Sequence, residues 1–179
     1  MISPRKSGTH NNALLAMAIL ISFGLVGCVD GATQAGSYAL ADLATELQTL
    51  KTSTDQESST TDSPGNLEER IKDGSVGRVP PRQLDPNSSN LGSSFVAIYD
   101  ISTSENTVTF HAVLQASGVS GGGWSYKEQL RYLCLKIHAR VSPQTPHAAV
   151  EDVTCRSDTV DLLRTMTDNR RVSLSELHG

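Results

Sequence analysis

The run Ser120-Gly121-Gly122-Gly123-Trp124-Ser125-Tyr126 holds the groups best suited to contact with a ligand. Adjacent glycines let a ligand approach the backbone closely, or bring N–H groups together around an anion. Trp124 and Tyr126 each join a flat apolar face to a polar edge, a combination that stacks on sugars and peptides. No Gly-Lys-Ser/Thr accompanies the glycines, so the run is not a phosphate loop of that type. Gly121, Gly122, Gly123, Trp124 and Tyr126 are therefore the candidate contact residues. The simpler reading is a mobile hairpin connection from Ser117 to Gly123, followed by aromatics that cap a sheet core.

Other reactive groups are scattered. His10 lies near the N-terminus and His178 in the tail, while His111 and His138 fall on expected strands and His147 in a proline turn. No two histidines stand at the i, i+4 spacing of a metal-binding helix, and lone strand histidines are usually solvated. Glu105, Glu128, Glu151 and Asp152 offer carboxylates for acid–base work, yet nothing pairs two of them in a site. No serine is read as the nucleophile of a Gly-x-Ser-x-Gly motif. The reading contains no catalytic residue, no metal site and no cofactor.

The elements that must position the loop follow from hydrophobic alternation. Six aromatic residues lie between Phe95 and Tyr132, and no proline occurs from Asn87 to Ser142, which locates the core. Phe95, Ala97, Tyr99 and Ile101 alternate with Val96, Ile98 and Asp100, as in a strand buried on most of both faces. After the turn cluster Ser102 to Asn106, Val108, Phe110, Ala112 and Leu114 are set against Thr107, Thr109, His111 and Gln115, predicting a half-buried strand and a hairpin. A third strand falls within Tyr126 to Val141. Its apolar positions change phase, from Leu130, Tyr132 and Cys134 to Leu133, Leu135 and Ile137, so either both faces are covered or a bulge intervenes. Ala149 to Cys155 reads as a short fourth strand, and Asp158 to Thr167 as a helix capped by Ser157. The expected fold class is α+β: a small antiparallel sheet of about four strands with one or two helices, over residues 93–179.

The N-terminus carries a different signal. Arg5 and Lys6 precede an apolar run from Ala13 to Gly27 that is broken only by Ser22. Fifteen helical residues span about 22 Å against a hydrocarbon core of about 30 Å, too short for a permanent span. A basic start, a short apolar run and small residues at its end describe a secretory signal. The closing residues Leu25-Val26-Gly27-Cys28 resemble the lipobox of bacterial lipoproteins. That resemblance implies a signal peptide over 1–27, cleavage between Gly27 and Cys28, and diacylglycerol (palmitate-type chains) in thioether linkage to Cys28. It also implies a location on the extracytoplasmic face of the cell membrane. Two acyl chains anchor stably where one is marginal. The alternatives are an uncleaved short anchor, or an ordinary signal with a coincidental cysteine.

With Cys28 lipidated, Cys134 and Cys155 are the cysteines that remain, and two cysteines outside the membrane fit an oxidised pair. Two buried free thiols or a metal pair are the alternatives, but no Cys-x-x-Cys or Cys/His spacing supports metal.

Between anchor and sheet, residues 28–37 read as a lead-out and 38–51 as a short amphipathic helix with Ser37 as N-cap. Leu40, Leu43, Leu47 and Leu50 form one stripe, which either packs on its own domain or pairs two copies in a weak homodimer. From Thr52 to Ser63, eight of twelve residues are Ser or Thr, and Pro64, Pro80, Pro81 and Pro86 follow, so 52–92 reads as a flexible tether. The whole arrangement, with Ser/Thr linker, hairpin, Gly-Gly-Gly-Trp-x-Tyr and two late cysteines, is similar to small exported domains of actinobacterial lipoproteins. That similarity implies no particular activity.

Charge narrows the function classes. Residues 28–179 hold 13 Lys+Arg against 19 Asp+Glu, a net of −6, the wrong sign for a general nucleic-acid binder. The expectation is a non-enzymatic envelope lipoprotein that binds an envelope protein or a cell-wall component. The alternatives are a small-ligand or glycan-binding module using the Gly-rich loop, and an envelope hydrolase.

Overall fold

A computed structural model describes residues 30–76, 94–142, 147–164 and 169–177. A long helix, α1 (Gly31–Thr60), is followed by α2 (Pro64–Lys72). The sheet then begins with β1 (Phe95–Ser104), β2 (Thr107–Ser120) and β3 (Lys127–Arg140), with one 3-10 turn (Gly123–Ser125) in the loop before β3. β4 (His147–Asp152), α3 (Ser157–Arg164), β5 (Asn169–Arg171) and α4 (Leu174–Leu177) complete the chain. The fold is α+β, with strand order β1-β2-β3-β4, all antiparallel, and β5 added parallel to β3.

β2 and β3 form the spine of the sheet. Their register is unbroken from Thr107↔Arg140 to Ser120↔Lys127. The phase change read in β3 is therefore not a bulge: both faces are covered where it occurs. Leu133, Leu135 and Ile137 face the main core, while Tyr132 and Cys134 face a second cluster on the other side. The bulge lies in β1 instead, between Tyr99 and Ser102. There Asp100 adopts a left-handed backbone (φ 51°), which a short polar side chain tolerates better than most.

α1 covers one face of the sheet along its whole length, since 30 helical residues and 14 strand residues each span about 45 Å. Its buried positions Ala35, Ala39, Leu43, Leu47, Leu50, Thr54 and Ser58 recur every three or four residues, one stripe of a helix. Opposite them lie Val108, Phe110, Ala112, Leu114 and Ala116 of β2 and Leu133 to Ala139 of β3, alternate residues of each strand. Packing is tightest at Gly118. A Cβ there would sit 1.9 Å from the Ala35 carbonyl oxygen and 2.4 Å from the Ala39 nitrogen. Gly118 belongs to β2, not to a mobile loop, and its missing side chain is what lets the helix backbone rest on the strand.

Three expectations for residues 28–92 need correction. The lead-out at Gly31–Gly36 is helical, and Ser37 is inside α1, where its hydroxyl donates to the Gln34 carbonyl rather than capping. The Ser/Thr tract is helical to Thr60 because its hydroxyls bond carbonyls of their own helix, Thr54 to Leu50 at 2.7 Å and Ser58 to Asp55 at 2.9 Å. Their polarity is satisfied locally, so these small side chains can face the sheet. Ser63 then accepts from the Asn66 N–H at the start of α2, Pro64 occupies its first turn, and Leu67, Ile71 and Val76 enter the core. The compact unit thus begins at Gly31 rather than at 93. Residues 77–92 of the expected tether lie outside the described residues, as do Gly27 and Cys28.

The leucine stripe is consumed by this packing. Leu43, Leu47 and Leu50 are buried against the strands and Leu40 packs beside them, so a homodimer through the stripe would require α1 to leave its own sheet.

Among the described residues, the opposite face is closed only in its middle. Cys134 and Cys155 form a disulfide, with Cα atoms 5.3 Å apart. They pack with Phe95, Ala97, Val113, Tyr132 and Leu163, the last contributed by α3. Arg156, next in chain, spans Asp100 (3.0 Å) and Asp158 (2.6 Å) and lies over the Tyr99 ring. It ties the start of α3 to the bulge of β1. No helix among the described residues is long and apolar enough to cross a membrane.

Candidate functional site

Two surfaces remain once the covered parts of the sheet are set aside, and they lie at opposite ends of the β2–β3 ribbon. The first is the connecting loop. Gly121 (φ 75°) and Gly123 (φ 57°) take left-handed backbone, and a Cβ on Gly121 would strike the Ser125 carbonyl oxygen at 2.4 Å. The Ser125 N–H donates to the Gly122 carbonyl, closing a tight turn. The turn holds Trp124 entirely in solvent, at 109% of its reference exposure, with Tyr126 half exposed. Neither aromatic caps the core, which corrects the simpler reading of this run. No wall faces them, since every residue from Gly121 to Glu128 is exposed. The loop offers a projecting aromatic platform rather than a cleft.

Ser120 at the base of this loop stands in a Gly-x-Ser-x-Gly spacing, Gly118 to Gly122, which the sequence reading passed over. Such a serine is a nucleophile when a strand-to-helix turn exposes it beside an imidazole. Here it ends β2, is buried, and its hydroxyl donates to the Gly31 carbonyl at the start of α1. No histidine lies on its face of β2 or β3, so the serine is a structural tie between strand and helix.

The second surface is the uncovered end of the sheet face opposite α1. Cross-strand pairing places Thr107, Arg140 and His147 in one row, Thr109, His138 and Ala149 in the next, and His111, Lys136 and Glu151 in a third. The three histidines of the folded region, dispersed in sequence, share this face. Thr107, His138, Arg140, His147 and Ala149 line a shallow concavity of about 350 Å³. His138 Nδ1 is 3.0 Å from the Thr109 hydroxyl, and its Nε2 lies 3.6 Å from the Glu151 carboxylate. Arg140 and His147 are exposed and have no ion-pair partner among the described residues. In the third row, His111 stacks on Tyr99 with ring centroids 5.6 Å apart. Its Nδ1 is buried without a hydrogen-bond partner among the described residues. Burial, with the nearby Asp100 charge, pushes the Tyr99 phenol above its ordinary range.

Chemically, this end suits recognition of an anion better than bond breaking. Thr109, His138 and Glu151 stand in the order hydroxyl, imidazole, carboxylate. Thr109, however, sits within a strand paired on both sides, where backbone N–H groups are used in the ladders and offer no oxyanion hole. Among the described residues no group of three or more His, Cys, Asp or Glu could hold a metal ion. Sequence reading missed this surface because it judged each histidine alone; counting residues back from the β2–β3 loop would have aligned Thr109 with His138. Nothing matches this chain among protein-family models, curated proteins or solved structures, so the site rests on its own geometry.

Proposed function

We propose that this protein is a lipid-anchored, non-enzymatic binding module of the bacterial envelope, carried on the extracytoplasmic face through Cys28. Its ligand is an anionic group, carboxylate or phosphate, of another envelope component. The observation that carries this reading is the concavity where Arg140 and His147 meet His138 and Thr107 on an otherwise uncovered sheet end. The Arg140 guanidinium and the His147 imidazole offer several donors to one anion, and Thr107 adds a hydroxyl. The concavity lies at the far end of 14-residue strands from Gly31, where α1 begins. The glycan alternative on Trp124 and Tyr126 has less support, because a ligand there would be held from one side only.

The test is calorimetric titration of the folded protein with inorganic phosphate and with wall peptides bearing a free carboxylate. Arg140→Ala should weaken binding about tenfold or more, since a hydrogen bond to a charged group contributes roughly 1.5–3 kcal/mol. Equal affinity in wild type and variant, or no saturable binding to either probe, would sink the proposal.

A further inference from the structure

Among the described residues, the large apolar side chains left exposed are Tyr38, Val119, Trp124 and Tyr126. They gather at one end of the molecule. Tyr38 lies over Gly118, its Cβ 2.9 Å from where a Cβ of Gly118 would stand. Val119 is the next residue, directed to the opposite face of β2, and Trp124 and Tyr126 project from the loop beyond. The segment Gly121–Tyr126 contains no charged residue. Single exposed apolar residues need no explanation, but four at one tip, two of them on a turn that excludes them from the core, do.

Chain length says what covers them. The Ser120 hydroxyl at the base of the loop donates to the carbonyl of Gly31. Gly31 is three residues from Cys28, a distance of at most about 11 Å along an extended chain. A lipid on Cys28 therefore holds the loop within reach of the headgroup layer, which is roughly 5–8 Å deep on each side of the hydrocarbon core. Trp and Tyr are the residues that settle in that layer, with the ring in the acyl boundary and the N–H or O–H in the wet zone. We infer that the Trp124 loop is a second membrane contact: Trp124 and Tyr126, flanked by Tyr38 and Val119, enter the lipid surface to which Cys28 is attached. Two contacts at one end fix the long axis of the sheet upright, with the Arg140–His147 end outward. This inference rests on the lipidation of Cys28.

Trp124 is the single tryptophan of the chain, so its fluorescence reports on the loop alone. Full-length protein extracted from membranes is weighed intact and reconstituted into phosphatidylcholine–phosphatidylglycerol vesicles, with or without bromine on the acyl chains. Trp124 emission should shift to shorter wavelength and lose about half its intensity or more in the brominated vesicles, as for a ring at the acyl boundary. A mass that carries diacylglycerol together with unchanged emission, quenched freely by aqueous iodide, overturns the membrane contact and leaves the anchor standing. So does quenching by soluble wall glycan with none by bromolipid, which returns the loop to a ligand role. A mass without lipid on Cys28 overturns both readings at once.

Discussion

The two faces of the sheet are closed by different means. Under α1, an unbroken apolar stripe from Ala39 to Leu50 meets alternate residues of β2 and β3, and backbone rests on backbone at Gly118. On the other side, a disulfide, the short helix α3 and one arginine clamp cover the middle rows only. The first face is built for stability, since burial there is broad and mainly apolar. The second is held by one covalent bond and exposed ion pairs, and it leaves its polar rows, with Arg140, His138 and His147, open to a partner. A small domain thus combines a conventional core with a surface that no helix among the described residues occupies.

Gly118→Val breaks the comparison most severely. The new side chain must displace the backbone of α1, which cannot shift without losing the Leu43 and Leu47 contacts as well. Overpacking typically costs about 1–3 kcal/mol, and a backbone clash belongs at or above the top of that range. Chemical denaturation should show a variant that is unfolded or destabilised by more than about 3 kcal/mol. A variant as stable as wild type would mean that α1 does not lie on β2 as described.

Removing the staple should cost less and act on the opposite face. The double substitution of Cys134 and Cys155 by Ala opens a loop of 21 residues, worth roughly 3 kcal/mol on the chain-entropy account. The same measurement should show cooperative unfolding with the midpoint moved down, while β2–β3 amides keep their hydrogen-exchange protection. Loss of protection along α1 first would reverse the comparison.

Acid sharpens the contrast with the smallest effect. Hydrogen bonding to Arg156 is the main cause that holds the Asp158 carboxyl below its usual range. A lowered folded-state value means that its contribution is complete above the ordinary carboxylate range near pH 4 and lost as pH falls through the depressed value. The pair is exposed, so the effect is slight. Hydrogen exchange, corrected for intrinsic rate, should show α3 losing protection as pH falls below the ordinary carboxylate range, while α1, held by apolar contacts, does not. Equal losses in both helices would point to global acid unfolding instead.

Legibility from the sequence followed the range of the interactions. The alternation of Val108 and Phe110 with Thr109 and His111 made the strand legible, and the β1–β2 hairpin follows from its turn residues. The strand is not half-buried throughout, however: Val113 and Gln115 are buried as well, so its middle is covered on both faces. The cysteine pair was legible for a similar reason: few partners existed. The extent of α1 was not. Ser and Thr are read as linker residues because they compete with helical backbone bonds. Here the same hydroxyls bond carbonyls one turn back, and a sheet waits to receive the stripe that Thr54 and Ser58 extend. The loop glycines were read as a mobile connection or a close approach for a ligand, and the structure adds left-handed backbone at Gly121 and Gly123. Whether Trp124 pointed inward or outward depended on turn geometry that its neighbours in sequence do not encode.

Composition, periodicity and spacing by themselves determined the strands of the hairpin, the α+β class and the candidate anchor, because each depends on residues close together in the chain. Tertiary structure alone decided that a Ser/Thr-rich segment is helix, that the leucine stripe packs on its own sheet, and that His138, Arg140 and His147 share a concavity. These depend on strand register and on what packs opposite, where a shift of one residue would send every side chain to the other face.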